Sequence, residues 1–182
     1  MPEPRSQSIS PSPFVIEWLD EIAGRVPAPG RALDLAMGSG RHALCVARKG
    51  LRTYGVDINL AALRSATRHA EADRLMLRCW CADLTTFPLP VGRFELVIVT
   101  RYLQRDLFPS IRRAIAPGGF LLYETFTIDQ RAHGVGPSSA DHLLERGELR
   151  EAFRGLDVLF YQEVQAPEAV ARLVARKTMS RI

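Results

Sequence analysis

The stretch ALDLAMGSGRHALCVARKG, residues 32–50, passes from an apolar run through a glycine turn into a run of helix formers. RALDLA, which begins one residue earlier, has the apolar density of a buried strand, and GRHALCVARKG has the character of a helix closed by Gly50. Between them, Gly38-Ser39-Gly40-Arg41-His42-Ala43 fits the pattern G-x-G-x-x-[GA]. In such a turn the glycines let a ligand approach the backbone, and the amides that open the helix favour an anion. A carboxylate, Asp34, stands four residues ahead of the first glycine, inside the strand. The turn alone leaves open whether its ligand is a pyrophosphate or another adenosine-bearing molecule.

Working outward, SPFVIEWLDEIAGRV predicts an amphipathic helix started at Pro13 after Ser12, with Phe14, Ile16, Trp18, Leu19 and Ile22 as its apolar face. PAPG then breaks the chain. Downstream, strand and helix alternate. LRTYGVDI is a second strand ending in Asp57, followed by the helix LAALRSATRHAEAD. RLMLRCWCAD is a third strand ending in Asp83, and RFELVIVT is a fourth. RDLFPSIRRAIA is the next helix and GGFLLYETF the fifth strand. Such alternation means parallel β-α-β units in a doubly wound sheet. The link LTTFPLPVG between strands three and four is too rich in proline for a full helix. An extended chain of about ten residues still spans roughly 33 Å, enough for a parallel crossover of about three strand spacings.

The end of the chain changes rhythm. After a short helix, ERGELREAF, the strands LDVLFYQEV and AVARLVARKTM are parted only by QAPE. Four residues cannot make a parallel crossover, so these strands must form an antiparallel hairpin. The expected fold is α/β: a Rossmann-like, doubly wound, seven-stranded sheet, mostly parallel, with a C-terminal antiparallel hairpin.

At 182 residues the chain is expected to hold a flexible tail over residues 1–12 and one domain over 13–182. No run approaches the ~18 apolar residues of a membrane span, and the polar, proline-rich start lacks the apolar core of a secretory leader. A cytoplasmic protein is expected. The net charge of +4 is arginine-borne and scattered, with no basic block, so nucleic acid is not expected as a partner. Cys45, Cys79 and Cys81 have neither a metal-type spacing nor an even count. They are expected to be small buried hydrophobes, and no metal site is expected.

In an open parallel sheet, ligands sit beyond the carboxyl ends of the strands. Asp34, Asp57 and Asp83 fall at or near three such ends. Asp57 follows Gly38 by nineteen residues, the offset of a carboxylate that accepts ribose hydroxyls. Ile58 is placed to cover an adenine face, and Asp83 to accept from the adenine amino group.

The ordered series LDLAMGSGRHA, YGVDIN, CADL, FELVIVT and IAPGGFLLYETF, over about residues 31–126, resembles the motifs of class I S-adenosylmethionine-dependent methyltransferases. GSGRHAL and LLYETF are most similar to the small tellurite-resistance-type members. The resemblance implies S-adenosylmethionine as cofactor. It implies that Asp34, Gly38, Ser39 and Gly40 line its methionine end, and that Arg41 or His42 helps hold its carboxylate. Asp57 would bind the ribose, with Ile58, Asp83 and Leu84 around the adenine; Ala36, Met37 and Thr100 complete the set. The chain departs from the family at Ala36 and Met37, where Gly or Cys is usual, and at Glu95, where Asp is usual.

The methyl acceptor is expected beyond strands four and five. Arg101 and Arg105 are candidates for binding an anionic substrate, Glu124 for a base or a cation-orienting group, and His133 for a catalytic group. His133 lies in TIDQRAHGVGPSSADHLL, which has the composition of a mobile lid. VTRYLQ closes the fourth strand where amino methyltransferases of DNA carry [DN]-P-P-[FYW], so a small molecule or small oxyanion is the expected acceptor. Two other readings are a nicotinamide-dependent oxidoreductase, which lacks a Y-x-x-x-K pair here, and an RNA methyltransferase, suggested by the arginine excess.

Overall fold

The computed structural model describes residues 10–179. Helix α1 (Pro13–Ala23) precedes the sheet. Then follow β1 (Arg31–Leu35), α2 (Arg41–Arg48), β2 (Arg52–Asp57), α3 (Leu60–Ala72), β3 (Leu77–Cys81) and β4 (Phe94–Thr100). Helix α4 (Phe108–Ala114), β5 (Ile115–Phe126), α5 (Glu148–Ala152), β6 (Asp157–Val164) and β7 (Val170–Arg176) complete the order. The sheet has seven strands in the order β3-β2-β1-β4-β5-β7-β6. Strands β1 to β5 are parallel, and β7 is antiparallel to both β5 and β6. The strand order reverses beside β1, so the crevice of the sheet opens where the glycine turn leaves that strand.

The central strands are apolar on both faces because both faces are covered. On one face Leu33, Val97, Val99 and Leu121 pack with Phe108, Ile111 and Phe153 of the α4 and α5 side. On the other, Leu96, Ile98, Phe120 and Leu122 pack with Phe14, Leu19 and Ile22 of α1 and Val46 of α2. The crossover over residues 82–93 contains no helix, as its prolines predict. Leu84 and Leu89 of this link are buried and join the core on that face of the sheet.

Several expectations need correcting. The fourth helix stops at Ala114, and β5 begins at Ile115, so Pro117-Gly118-Gly119 lies inside the strand. There it forms a bulge: Phe94 pairs with Ile115, but Leu96 pairs with Phe120. The reason lies far along the chain. Lys177 Nζ donates to the carbonyls of Arg112 (3.1 Å) and Ile115 (2.7 Å), satisfying groups that a helix end leaves open. Strand β3 ends at Cys81, two residues before Asp83. It is an edge strand, so Cys81 is exposed and Cys79 only partly buried; Cys45, on α2, is also only partly buried. Residues 1–9 lie outside the described part, but Ser12 is buried and its amide is bonded to His42.

Candidate functional site

A cleft of about 270 Å³ opens at the carboxyl ends of β1, β2 and β4. The turn after β1 contributes Ala36, Met37, Gly38, Ser39 and Arg41; β2 contributes Asp57; and β4 contributes Thr100 and Arg101. Gly38 and Gly40 have left-handed backbones (φ 55° and 81°), which glycine adopts without strain. At Gly40 a Cβ would lie 2.9 Å from Ala66 Cβ and 3.0 Å from Met37 Cε, so only glycine lets the turn settle against α3. Ala36 (φ 51°) and Arg101 (φ 53°) adopt the same region without being glycine. Two strained residues in one cleft mark it as a place where packing is subordinate to shape.

Asp57 organises the turn. Its Oδ2 accepts from the Gly38 amide (2.7 Å) and its Oδ1 from the Asn59 amide (2.8 Å). An ionised carboxylate has about four acceptor positions, so both oxygens keep capacity for two vicinal hydroxyls. Asn59 in turn caps α3, its Oδ1 accepting from Ala61 and Ala62 at 3.1 Å. Asn59 and Ala62 line the cleft and had no place in the reading from sequence. The Asn that precedes Leu60 is an N-cap signal that points to the first.

Asp34 stands behind the turn and does not line the cleft. It is 1% exposed, and its Oδ2 accepts from the Ala43 amide at 3.0 Å, tying β1 to the first turn of α2. Its Oδ1 is buried with no partner among the described residues, an acceptor left open beneath the cradle. Burial pushes the Asp34 carboxyl up to about 7, against the Ala43 bond and the Arg41 charge, which lower it. Below its ordinary 3.8 the group is protonated in both states; between there and about 7 only the unfolded chain releases the proton. Stability therefore falls as pH rises through that interval and levels off above it. Asp34→Asn is expected to flatten the fall when urea midpoints are measured from about pH 4 to 8. An unchanged slope would place the titration elsewhere.

His42 is 1% exposed and does not itself line the cleft, whereas Arg41, the other candidate for the cofactor carboxylate, does. Nε2 accepts from the Ser12 amide and Nδ1 meets Thr100 Oγ1, each at 3.0 Å. Burial first, then the Arg41 and Arg101 charges, depress its pKa to about 3. Arg41 does line the cleft, and burial together with nearby Arg101 lowers its pKa from the usual 12.5. Arg101 bonds Glu168 at 2.6 Å and lies 5.5 Å from the centre of the Phe126 ring.

The remaining candidates fall at or beyond the rim. Ile58 is 68% exposed beside Asp57. Asp83 is exposed, and its Oδ1 accepts from the Thr85 amide (2.9 Å) and hydroxyl (2.7 Å), bonds that lower its pKa. Leu84 is buried in the core. Glu124 is 6% exposed and accepts from Arg172 Nε at 2.7 Å, its direct cross-strand partner. Of the two roles expected for it, base or cation-orienting group, this pairing engages the carboxylate with a cation inside the sheet. Arg105 is similarly engaged: it bonds Glu148 at 2.6 and 2.9 Å and the carbonyls of Leu143 and Ala140. His133 is exposed at the end of a 3-10 turn and does not line the cleft. The expected lid is tied at its base, where Ile128 donates to Leu144 and Leu144 to Phe126. Gln130, 1% exposed, bonds Val135 and accepts from Ala169. Among the described residues no cluster of His, Cys, Asp or Glu could hold a metal, and no helix is long and apolar enough to cross a membrane.

The strand order is that of a Rossmann-like methyltransferase fold, and residues 32–119 match the model of a methyltransferase domain. The chain is 28% identical over 156 residues to the methyltransferase-named protein YqeM of Bacillus subtilis (strain 168), covering 79% of this chain and 62% of that one. It is 23% identical over 146 residues to the ubiquinone biosynthesis O-methyltransferase of Acinetobacter baylyi, covering 73% of this chain and 58% of that one. The chain thus spans about three fifths of these curated relatives. Among solved structures, TehB from Haemophilus influenzae superposes with a TM-score of 0.73 at 18% identity, covering 89% of this chain and 62% of that one. That likeness shows the fold.

Proposed function

We propose that this chain transfers a methyl group from S-adenosylmethionine to a small, soft or already anionic acceptor. The observation that carries this reading is the joint presence, in one cleft, of the glycine cradle and Asp57. Bound there, S-adenosylmethionine supplies a methyl group on a sulfonium sulfur, which a nucleophile displaces in line. The chain's own residues bind and align. Asp57 accepts the ribose hydroxyls, the amides near Ser39 and the Arg41 guanidinium receive the amino-acid end, and Ile58 and Asp83 flank the adenine.

Proton acceptors near the acceptor side are already engaged. Glu124 is bonded by Arg172, and both nitrogens of His42 are occupied. Among the described residues that line the cleft, Asp57 is the one carboxylate, and it braces the turn. This favours a nucleophile that needs no base, such as a thiolate or an oxyanion, over a neutral amine or alcohol. Arg101 at the mouth, shared with Glu168, keeps further donors for a negative charge, and a tellurite-resistance-type oxyanion acceptor is the finer form of this reading.

Calorimetric titration with S-adenosylhomocysteine and with NADH tests the cofactor, and a panel of thiols, oxyanions and amines with labelled methyl donor tests the acceptor. S-adenosylhomocysteine should bind and NADH should not, with label passing to thiols or oxyanions ahead of amines. Binding of NADH alone would restore the oxidoreductase reading.

A further inference from the structure

The environment of His42 determines its tautomer. A backbone amide only donates, so the Nε2 that faces the Ser12 amide at 3.0 Å must present its lone pair. The ring hydrogen then sits on Nδ1, and Nδ1–H donates to Thr100 Oγ1 at 3.0 Å. A hydroxyl that receives a hydrogen from behind has its own hydrogen to give. No other partner is within hydrogen-bond distance of Thr100 Oγ1 among the described residues, and Thr100 lines the cleft with Arg41 and Arg101. The charged groups facing the ring are those two guanidiniums, which disfavour an imidazolium. One wall of the cleft therefore places a hydroxyl hydrogen beside the guanidiniums of Arg41 and of Arg101, the latter shared with Glu168, a setting suited to a carboxylate.

We propose that His42 is a positioning residue: fixed as the Nδ1–H tautomer by the Ser12 amide, it turns Thr100 into a hydrogen-bond donor toward the carboxylate of the cofactor's amino-acid end. The proposal rests on the cofactor reading above. It also makes the segment ahead of α1 part of the site, since Ser12 sets the ring and the ring sets the hydroxyl.

Two measurements on the full chain test it. Nitrogen-15 spectra of the imidazole, assigned by loss of the signal in His42→Gln, should show a protonated Nδ1 and an unprotonated Nε2, with no titration over about pH 5 to 8. An Nε2–H tautomer, or a ring that titrates in that range, overturns the proposal whether or not any ligand binds. In calorimetry, Thr100→Val should weaken S-adenosylhomocysteine about tenfold, while Thr100→Ser keeps wild-type affinity. Methylthioadenosine, which has the ribose, adenine and sulfur but no carboxylate, should bind Thr100→Val and wild type alike. Equal losses for both ligands, or none for either, overturn the proposal. His42→Leu combined with Thr100→Val should lose no more than Thr100→Val alone, with folding of each variant checked by thermal melts. Additive losses would uncouple the two residues and overturn it. Failure of wild type to bind S-adenosylhomocysteine at all would instead remove the cofactor reading, and the spectra would still decide the tautomer.

Discussion

Asp57→Ala is expected to lower the affinity for S-adenosylhomocysteine about a hundredfold, or about 3 kcal/mol, in calorimetric titration. Each hydrogen bond to an ionised group contributes roughly 1.5–3 kcal/mol, and the substitution removes the acceptor for both ribose hydroxyls. It also frees the Gly38 and Asn59 amides, which Asp57 holds at 2.7 and 2.8 Å, so the cradle loses a brace as well as a ligand contact. Asp57→Asn separates the two effects. It retains the shape and one oxygen but loses the charge, and should give an intermediate loss. Methylthioadenosine keeps the ribose and should weaken with S-adenosylhomocysteine, unlike the pattern expected at Thr100. Unchanged affinity in Asp57→Ala would break the ribose assignment.

Gly55→Ala should destabilise the fold by about 1–3 kcal/mol in chemical denaturation, the range for an overpacked core. A Cβ at Gly55, in the middle of β2, would lie 1.8 Å from Met37 Sδ, with Met37 Cε and Cγ also close. Met37 is 5% exposed and packed with Ala43, Leu63 and Ala66, so its side chain cannot simply swing away. The bulky residue in the first motif is thus accommodated by the absence of one on the next strand. Met37→Ala costs packing alone, but combined with Gly55→Ala it should recover most of the second loss. Additive losses in that cycle would mean that the two residues do not share the space.

The elements legible from sequence are those set by local chemistry. The glycines after RALDLA end β1 and open α2, and QAPE is too short for anything but a hairpin between β6 and β7. The place of Asp57 at the end of β2, in the cleft, is legible for the same reason, since a strand end is local in kind. What local chemistry does not carry is which distant partner claims a polar group. Ser12 and His42 are 30 residues apart, Glu124 and Arg172 are 48 apart, and Lys177 reaches Ile115 across 62. The last of these accompanies an earlier start of β5 than expected, and the first two bring Ser12 and Glu124 partners that local sequence does not name. The Glu124 pair was within reach, because an antiparallel β5–β7 register sets the two side chains opposite one another. The direction of His42 was not, because it depends on how the chain ahead of α1 returns to the turn.

The helix-free crossover has a bearing on the ligand itself. Asp83 and Leu84 open that crossover, whereas Arg41 begins a helix buried against the sheet. In the proposed complex, one end of the ligand meets a strap and the other a beam. Analogues enlarged on the base should then be accommodated by small shifts of the strap, while those enlarged at the amino acid meet a wall that does not yield. Such unequal compliance would let the domain admit enlarged purines yet refuse a lengthened or branched amino-acid side chain.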